Sequence, residues 1–149
     1  MDPRRRPPDP RQRAERRELL AAEPEVLDEL RRLRARVVHV TGALVATSDG
    51  LVLAHDTATI EPEGVAALTA AALGVTQSLA DATGRGAFRE LLVRGEEGYV
   101  ATYAAGPAAV LTVLAGGRTN VGRLHMEARR SGARVAELVG DALGKAEQS

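Results

Sequence analysis

Residues 64–80, GVAALTAAALGVTQSLA, run for seventeen positions without a charged side chain. A helix on the surface of a soluble protein normally buries one apolar stripe and turns a charged back to water. Here Val65, Leu68, Ala72, Val75 and Leu79 make the stripe expected to lie on the chain's own sheet. The opposite side carries Ala66, Ala70, Gly74 and Gln77, small or neutral where charge belongs. Spacing of four aligns Ala66, Ala70 and Gly74 into a ridge that a second helix can approach closely, as small-residue seams do in membranes. A membrane span needs about 20 apolar residues, and this run also holds Thr69, Thr76, Gln77 and Ser78. The expectation is a helix covered twice, by its own sheet and by another protein subunit, with no direct membrane insertion.

Composition narrows the rest. The 149 residues suit one domain with a tail, and a formal net charge of zero favours neither nucleic acid nor an anionic surface in bulk. Cysteine is absent, which excludes disulfides, thiol catalysis and cysteine-ligated metals. Aromatics are 2%, so Val, Leu and Ala must build the core. Cations are arginine except Lys145. Residues 1–22, dominated by Arg and Pro with Asp2, Asp9, Glu15 and Glu18 interspersed, bury too little to offset their ordering entropy and are expected to be a disordered tail, with helix entering from Glu15. With no aromatic to stack on bases, the tail is not read as a nucleic-acid arm.

A helix is expected from Glu23-Pro24 to about residue 35 on a Leu27, Leu30, Leu33 stripe. Two strands follow around Asp49-Gly50, a pair that marks the corner of a two-residue hairpin rather than a catalytic aspartate. In that register Val38, Val40, Leu44 and Ala46 share a face, and His39, Thr41 and Thr47 take the other. The charge-free helix spans Pro62 to Thr83, with Gly84 as its stop. Residues 88–94, 98–104 and 108–115 alternate or run apolar as three more strands. Thr119 or Asn120 caps a last helix with Val121, Leu124, Ala128, Val135 and Leu138 inward and Arg123, Glu127, Arg130, Arg134 and Glu137 on a solvated face. The order α-β-β-α-β-β-β-α predicts an α+β fold, a five-stranded antiparallel sheet with helices packed on its faces. The domain is expected over 23–143, with 144–149 as a short C-terminal tail.

Chemistry is not evident. His39, His55 and His125 lack metal-ligand spacing, and His125, beside the apolar stripe with no carboxylate partner evident in sequence, is read as structural. GRG at 84–86, GEEG at 95–98 and GG at 116–117 lack the spacing of a phosphate loop. Ser48 and His55 flank one hairpin without an oxyanion motif, and Glu96-Glu97 sits on a solvated turn. No catalytic residue, cofactor or metal is assigned.

In this order and spacing, GALVATSDGLVLA (42–54), EGVAALTAAALGVTQSLA (63–80), ELLVRGEEGYVATYAAG (90–106) and VLTVLAGGRTNVGRLHMEARRSGARVAELV (110–139) resemble a Roadblock/dynein light-chain domain of the bacterial type. The resemblance implies a cytoplasmic, non-enzymatic regulator, recruited to the membrane through a partner. It implies homo- or heterodimers built on the long middle helix and an edge strand, and binding to small Ras-like GTPases. Similar short proteins of actinobacteria are encoded beside a sensor-kinase-like protein and a small GTPase, a source that Arg-rich composition suits. Ala66, Ala70, Leu73, Gly74 and Gln77 are the helix candidates for the dimer or partner interface, with Leu91 and Val93 on the strand. Such an interface buries on the order of 800 Å² per subunit. Arg85, Arg89 and Arg94 are available to a GTPase, and no motif singles one out. Two alternatives stand beside this reading: a small-molecule sensor of profilin- or PAS-like shape, with a pocket of convergent polar groups, and a scaffold without effect on nucleotide turnover.

Overall fold

The computed structural model describes residues 6–148. Its first helix, α1 (Pro10–Ala21), occupies sequence expected to be tail. Asp9 caps it: the Gln12 N–H donates to the Asp9 carboxylate at 2.8 Å, and the Asp9 N–H donates back to Gln12 Oε1 at 3.2 Å. Pro10 opens the first turn. Twelve residues are too few to hold a helix alone, but Ala14 and Leu19 are buried where α1 packs on α4 (Val121–Glu147). The tail expectation is therefore corrected for residues 10–21, and residues 1–5 lie outside the described residues. At the other end α4 continues through Glu147 with Ala146 buried, so 144–147 are helix, not tail.

Helix α2 (Glu23–Arg36) buries Val26, Leu30 and Leu33. Five strands, β1 (Val40–Thr47), β2 (Val52–Asp56), β3 (Glu90–Gly95), β4 (Gly98–Ala105) and β5 (Ala109–Gly116), form one antiparallel sheet in the order β2-β1-β5-β4-β3. The order of elements is the expected one with α1 added in front. Strand β1 is buried on both faces, which follows from alternation in a nearly all-apolar run. Ala43 and Val45 join the main core beneath α2 and α4, while Leu44 and Ala46 face α3 (Pro62–Ala82) on the other side.

The hairpin corner differs from expectation. The Thr47 N–H donates to the Leu51 carbonyl at 2.8 Å, and the Gly50 N–H to the Thr47 carbonyl at 3.0 Å. Gly50 alone in the loop has positive φ (97°). This is a three-residue loop with its glycine left-handed, not a two-residue turn. Ala46 pairs with Val52, and the Thr47 hydroxyl bonds the Asp49 carboxylate. Val38, expected on an inner face, is exposed ahead of β1 because the chain turns at His39, whose φ is 73°.

One polar cluster ties α2 to α4. Buried Glu29 accepts from Arg36 Nη2 and from the Ser131 hydroxyl, both at 3.0 Å, and from Arg32 at 3.3 Å. Arg36 Nε lies 3.3 Å from a carboxylate oxygen of Glu127. Glu127 was expected on the solvated face of α4; it is buried, and Arg36 from a distant helix is what permits that.

Candidate interaction surface

Glu61 caps α3 by accepting from the Glu63 and Gly64 N–H groups at 3.2 and 2.6 Å. Within the helix only Ala66 is buried, 1% exposed, against Leu44 and Ala46. The small-residue side therefore faces the chain's own sheet. Leu68, Val75 and Leu79, expected beneath the helix, are 73%, 72% and 64% exposed. For these three the assignment is the reverse of the expected one, whereas Val65 of the same stripe packs on Leu44, Ala46 and Ala66 as expected and Ala72 is half-buried. The helix meets its own sheet where Ala66 packs on Leu44 and Ala46, and a Cβ placed on Gly50 of the β1–β2 loop would be in ordinary contact, 3.9 Å, with Ala66 O, Ala67 Cα and Ala70 Cβ. Small residues line that contact, and Leu68, Val75 and Leu79 fall on the opposite side of the helix.

Beyond its first turns α3 stands off the sheet over a cleft of about 1120 Å³. Ala70, Leu73 and Gly74 look into this cleft across from Ala104 and Val110. Gln77 also lines it, and acts within the chain: its amide nitrogen donates to Asp81 at 2.9 Å, and its carbonyl accepts the Phe88 N–H at 2.9 Å. That contact fastens the 83–89 connection and brings the start of β3 beside the last turns of α3.

Strand β3 is an edge, so one side of its backbone has no strand partner among the described residues. Leu91 is half-buried and Val93 is 50% exposed. Their cross-strand partners are Thr102 and Val100, and Thr102 in turn pairs with Thr112 and Thr112 with Leu44, which places Leu91 and Val93 on the α3 side of the sheet. The exposed ridge of α3, the open edge of β3 and the Val93–Val100 pair thus lie on one side of the molecule.

The opposite face of β3 is anchored to α4. Arg129 donates to both oxygens of Glu90, at 3.1 and 2.5 Å, and this guanidinium holds the Glu90 carboxyl below its usual range. Buried Tyr103 hydrogen-bonds His125 Nδ1 at 2.7 Å, and Glu90 lies 3.8 Å from the same nitrogen. Burial first, and the Glu90 charge second, push the Tyr103 phenol upward. The carboxylate neighbour of His125 thus comes from β3 and not from its own helix.

A family model described as the Roadblock/LC7 domain matches residues 26–115, from α2 through β5. The chain belongs to the Roadblock/LC7 family. Domains of this family are regulators or adaptors, and in that coarse sense this Roadblock chain is one. Uncharacterized protein MJ1340 of Methanocaldococcus jannaschii is 28% identical over 100 residues, covering 66% of this chain and 87% of its own length. A Roadblock/LC7 domain from Streptomyces avermitilis is 26% identical with a TM-score of 0.64, over 77% of this chain and 92% of that one. A structure of MglB with tetrameric arrangement superposes at a TM-score of 0.75 and 24% identity, covering 82% and 93%; at that identity the likeness is one of fold.

Of the interface candidates, Ala66, Ala70, Leu73, Gly74 and Gln77 lie on the inner side of this Roadblock helix, and Leu91 and Val93 on the open strand. The residues that sequence reasoning passed over are Leu68, Val75 and Leu79. Their size and helical spacing are what a core stripe looks like, so periodicity alone marks them as inner.

Proposed function

We propose that this Roadblock protein self-associates through the outer ridge of α3 and the edge of β3, and as a dimer binds a small Ras-like GTPase and modulates its turnover. The observation that carries the reading is the ridge itself. Leu68, Val75 and Leu79 stand largely in water on a helix with no charge between residues 64 and 80. Aligned apolar side chains of this kind mark an interaction surface. The open edge of β3 offers backbone groups to a two-fold mate, extending the sheet across the axis. MglB, similar in fold, assembles into a tetramer, which supports self-association here. Regulation in the cytoplasm, with a sensor-kinase-like protein as further partner, completes the reading.

The sensor alternative would use the cleft under α3. Gln77 is matched with Asp81 and Phe88, Glu90 with Arg129, and Tyr103 with His125, which leaves Ser48 and Arg89 as the polar side chains of the cleft open to a ligand, few for a specific sensor pocket. The decisive experiment pairs light scattering of the purified chain with pulldown of small GTPases loaded with GDP or a GTP analogue. A dimer that captures at least one GTPase is expected; a monomer, or a dimer that captures none, counts against the proposal. GTP hydrolysis with and without the protein then separates a modulator from a scaffold.

A further inference from the structure

Helix α1 gathers four exposed side chains into line. Arg13, Arg16, Arg17 and Leu20 stand at i, i+3, i+4 and i+7, one face of the helix. The acids of the segment are turned elsewhere. Glu18 lines a small hollow with Glu25 and with Asp141 and Lys145 of α4, Glu15 is half-buried and pairs with Arg11 at 3.6 Å, and Asp9 is engaged in the cap. Arg13 donates to the Pro8 carbonyl at 2.9 Å and keeps its charge outward. Among the described residues, Arg16 and Arg17 form no ion pair. A chain of zero net charge thus presents a stripe of three arginines on α1 that ends at Leu20, 44% exposed, with Glu23 following three residues on at the start of α2.

We propose that this face docks peripherally on an anionic membrane surface. Guanidinium groups pair with lipid phosphates through paired, charge-assisted hydrogen bonds, and each arginine at such a surface raises partitioning about fivefold. Leu20, at the C-terminal end of the arginine stripe, gains by entering the headgroup boundary, and gains nothing against a sugar-phosphate backbone. Residues 1–22 hold no aromatic to stack on bases, which disfavours nucleic acid. Position agrees. Helix α1 packs on α4, on the side of the sheet opposite α3. A chain lying on the bilayer through α1 keeps the α3 ridge and the face of Leu91 and Val93 directed away from the lipid. This docking does not depend on the identity of the partner bound on that other side.

The test is co-sedimentation of the full chain with vesicles of equal parts phosphatidylglycerol and phosphatidylcholine, against phosphatidylcholine alone, at low and physiological salt. Binding is expected only to the anionic vesicles and should weaken with salt. The triple variant Arg13→Gln, Arg16→Gln, Arg17→Gln should lower partitioning roughly a hundredfold with an unchanged circular dichroism spectrum, since all three side chains are exposed. Leu20→Ser should lower it severalfold. The charge-matched triple Arg85→Gln, Arg94→Gln, Arg118→Gln, away from α1, should retain binding. Equal binding to neutral vesicles would assign the contact to the apolar ridge of α3 and overturn the proposal. So would equal loss in the two triples, tighter binding to a DNA oligonucleotide than to vesicles, or no binding at all.

Discussion

Val75→Glu separates association from folding most cleanly. Burying a Val or Leu side chain completely stabilises by about 1.5–3 kcal/mol. With roughly two-thirds of Leu68, Val75 and Leu79 still exposed, each has about 1–2 kcal/mol left to contribute on contact. Three residues on each of two protomers supply roughly 6–12 kcal/mol, against an association cost of about 4–15 kcal/mol. The ridge alone comes near balance, and backbone pairing along β3 tips it. Glutamate at 75 removes the valine's share twice and leaves two carboxylates unpaired in the seam, each costing several kcal/mol. The dimer should weaken by more than about a thousandfold. In the isolated protomer the same change touches little, because Val75 is mostly in water and Glu is the better helix former, so stability should hold within about 0.5 kcal/mol. Size-exclusion chromatography with light scattering reads the mass, and thermal circular dichroism reads the fold. A folded monomer is the expected result. A variant that keeps the wild-type mass, or one that unfolds, would refute the placement of this ridge at the seam.

Arg36→Ala should leave Glu127 buried without a countercharge and Glu29 short of one, costing about 3–5 kcal/mol in urea denaturation. Glu90→Gln tests the anchor of β3. The carboxyl that Arg129 holds low contributes stability fully above the ordinary carboxylate range and loses it as pH falls through the lowered native value. Wild type should therefore exceed the variant by about 0.5–1 kcal/mol at neutral pH, with the gap closing at acid pH in the same urea titration. Asp9→Ala removes the cap of α1 and should cost about 1 kcal/mol, read as faster hydrogen exchange confined to residues 10–21.

How far the chain was legible follows from where each constraint sits. The order of strands and helices was legible because alternation and helical period are local properties. Helix α1 was not, because its Arg-rich composition resembles a solvated tail and its order comes from Ala14 and Leu19 packing on a helix over a hundred residues away. The Asp9–Gln12 capping box was the available local signal, and it carries little weight without that surface. Glu127 was misplaced for the same reason, since Arg36 comes from another helix, and the contacts of His125, read as structural, come from Glu90 and Tyr103 on other elements.

By itself the sequence determined that the long middle helix runs seventeen positions without charge and so has no face of the usual solvated kind. It also determined the angles between those side chains, since helical geometry sets them. Which side turns inward was decided only by the tertiary structure, because rotation about a helix axis is settled by what packs against it. Ala66 packs on Leu44 and Ala46 of β1, and with that side inward Leu68, Val75 and Leu79 face outward.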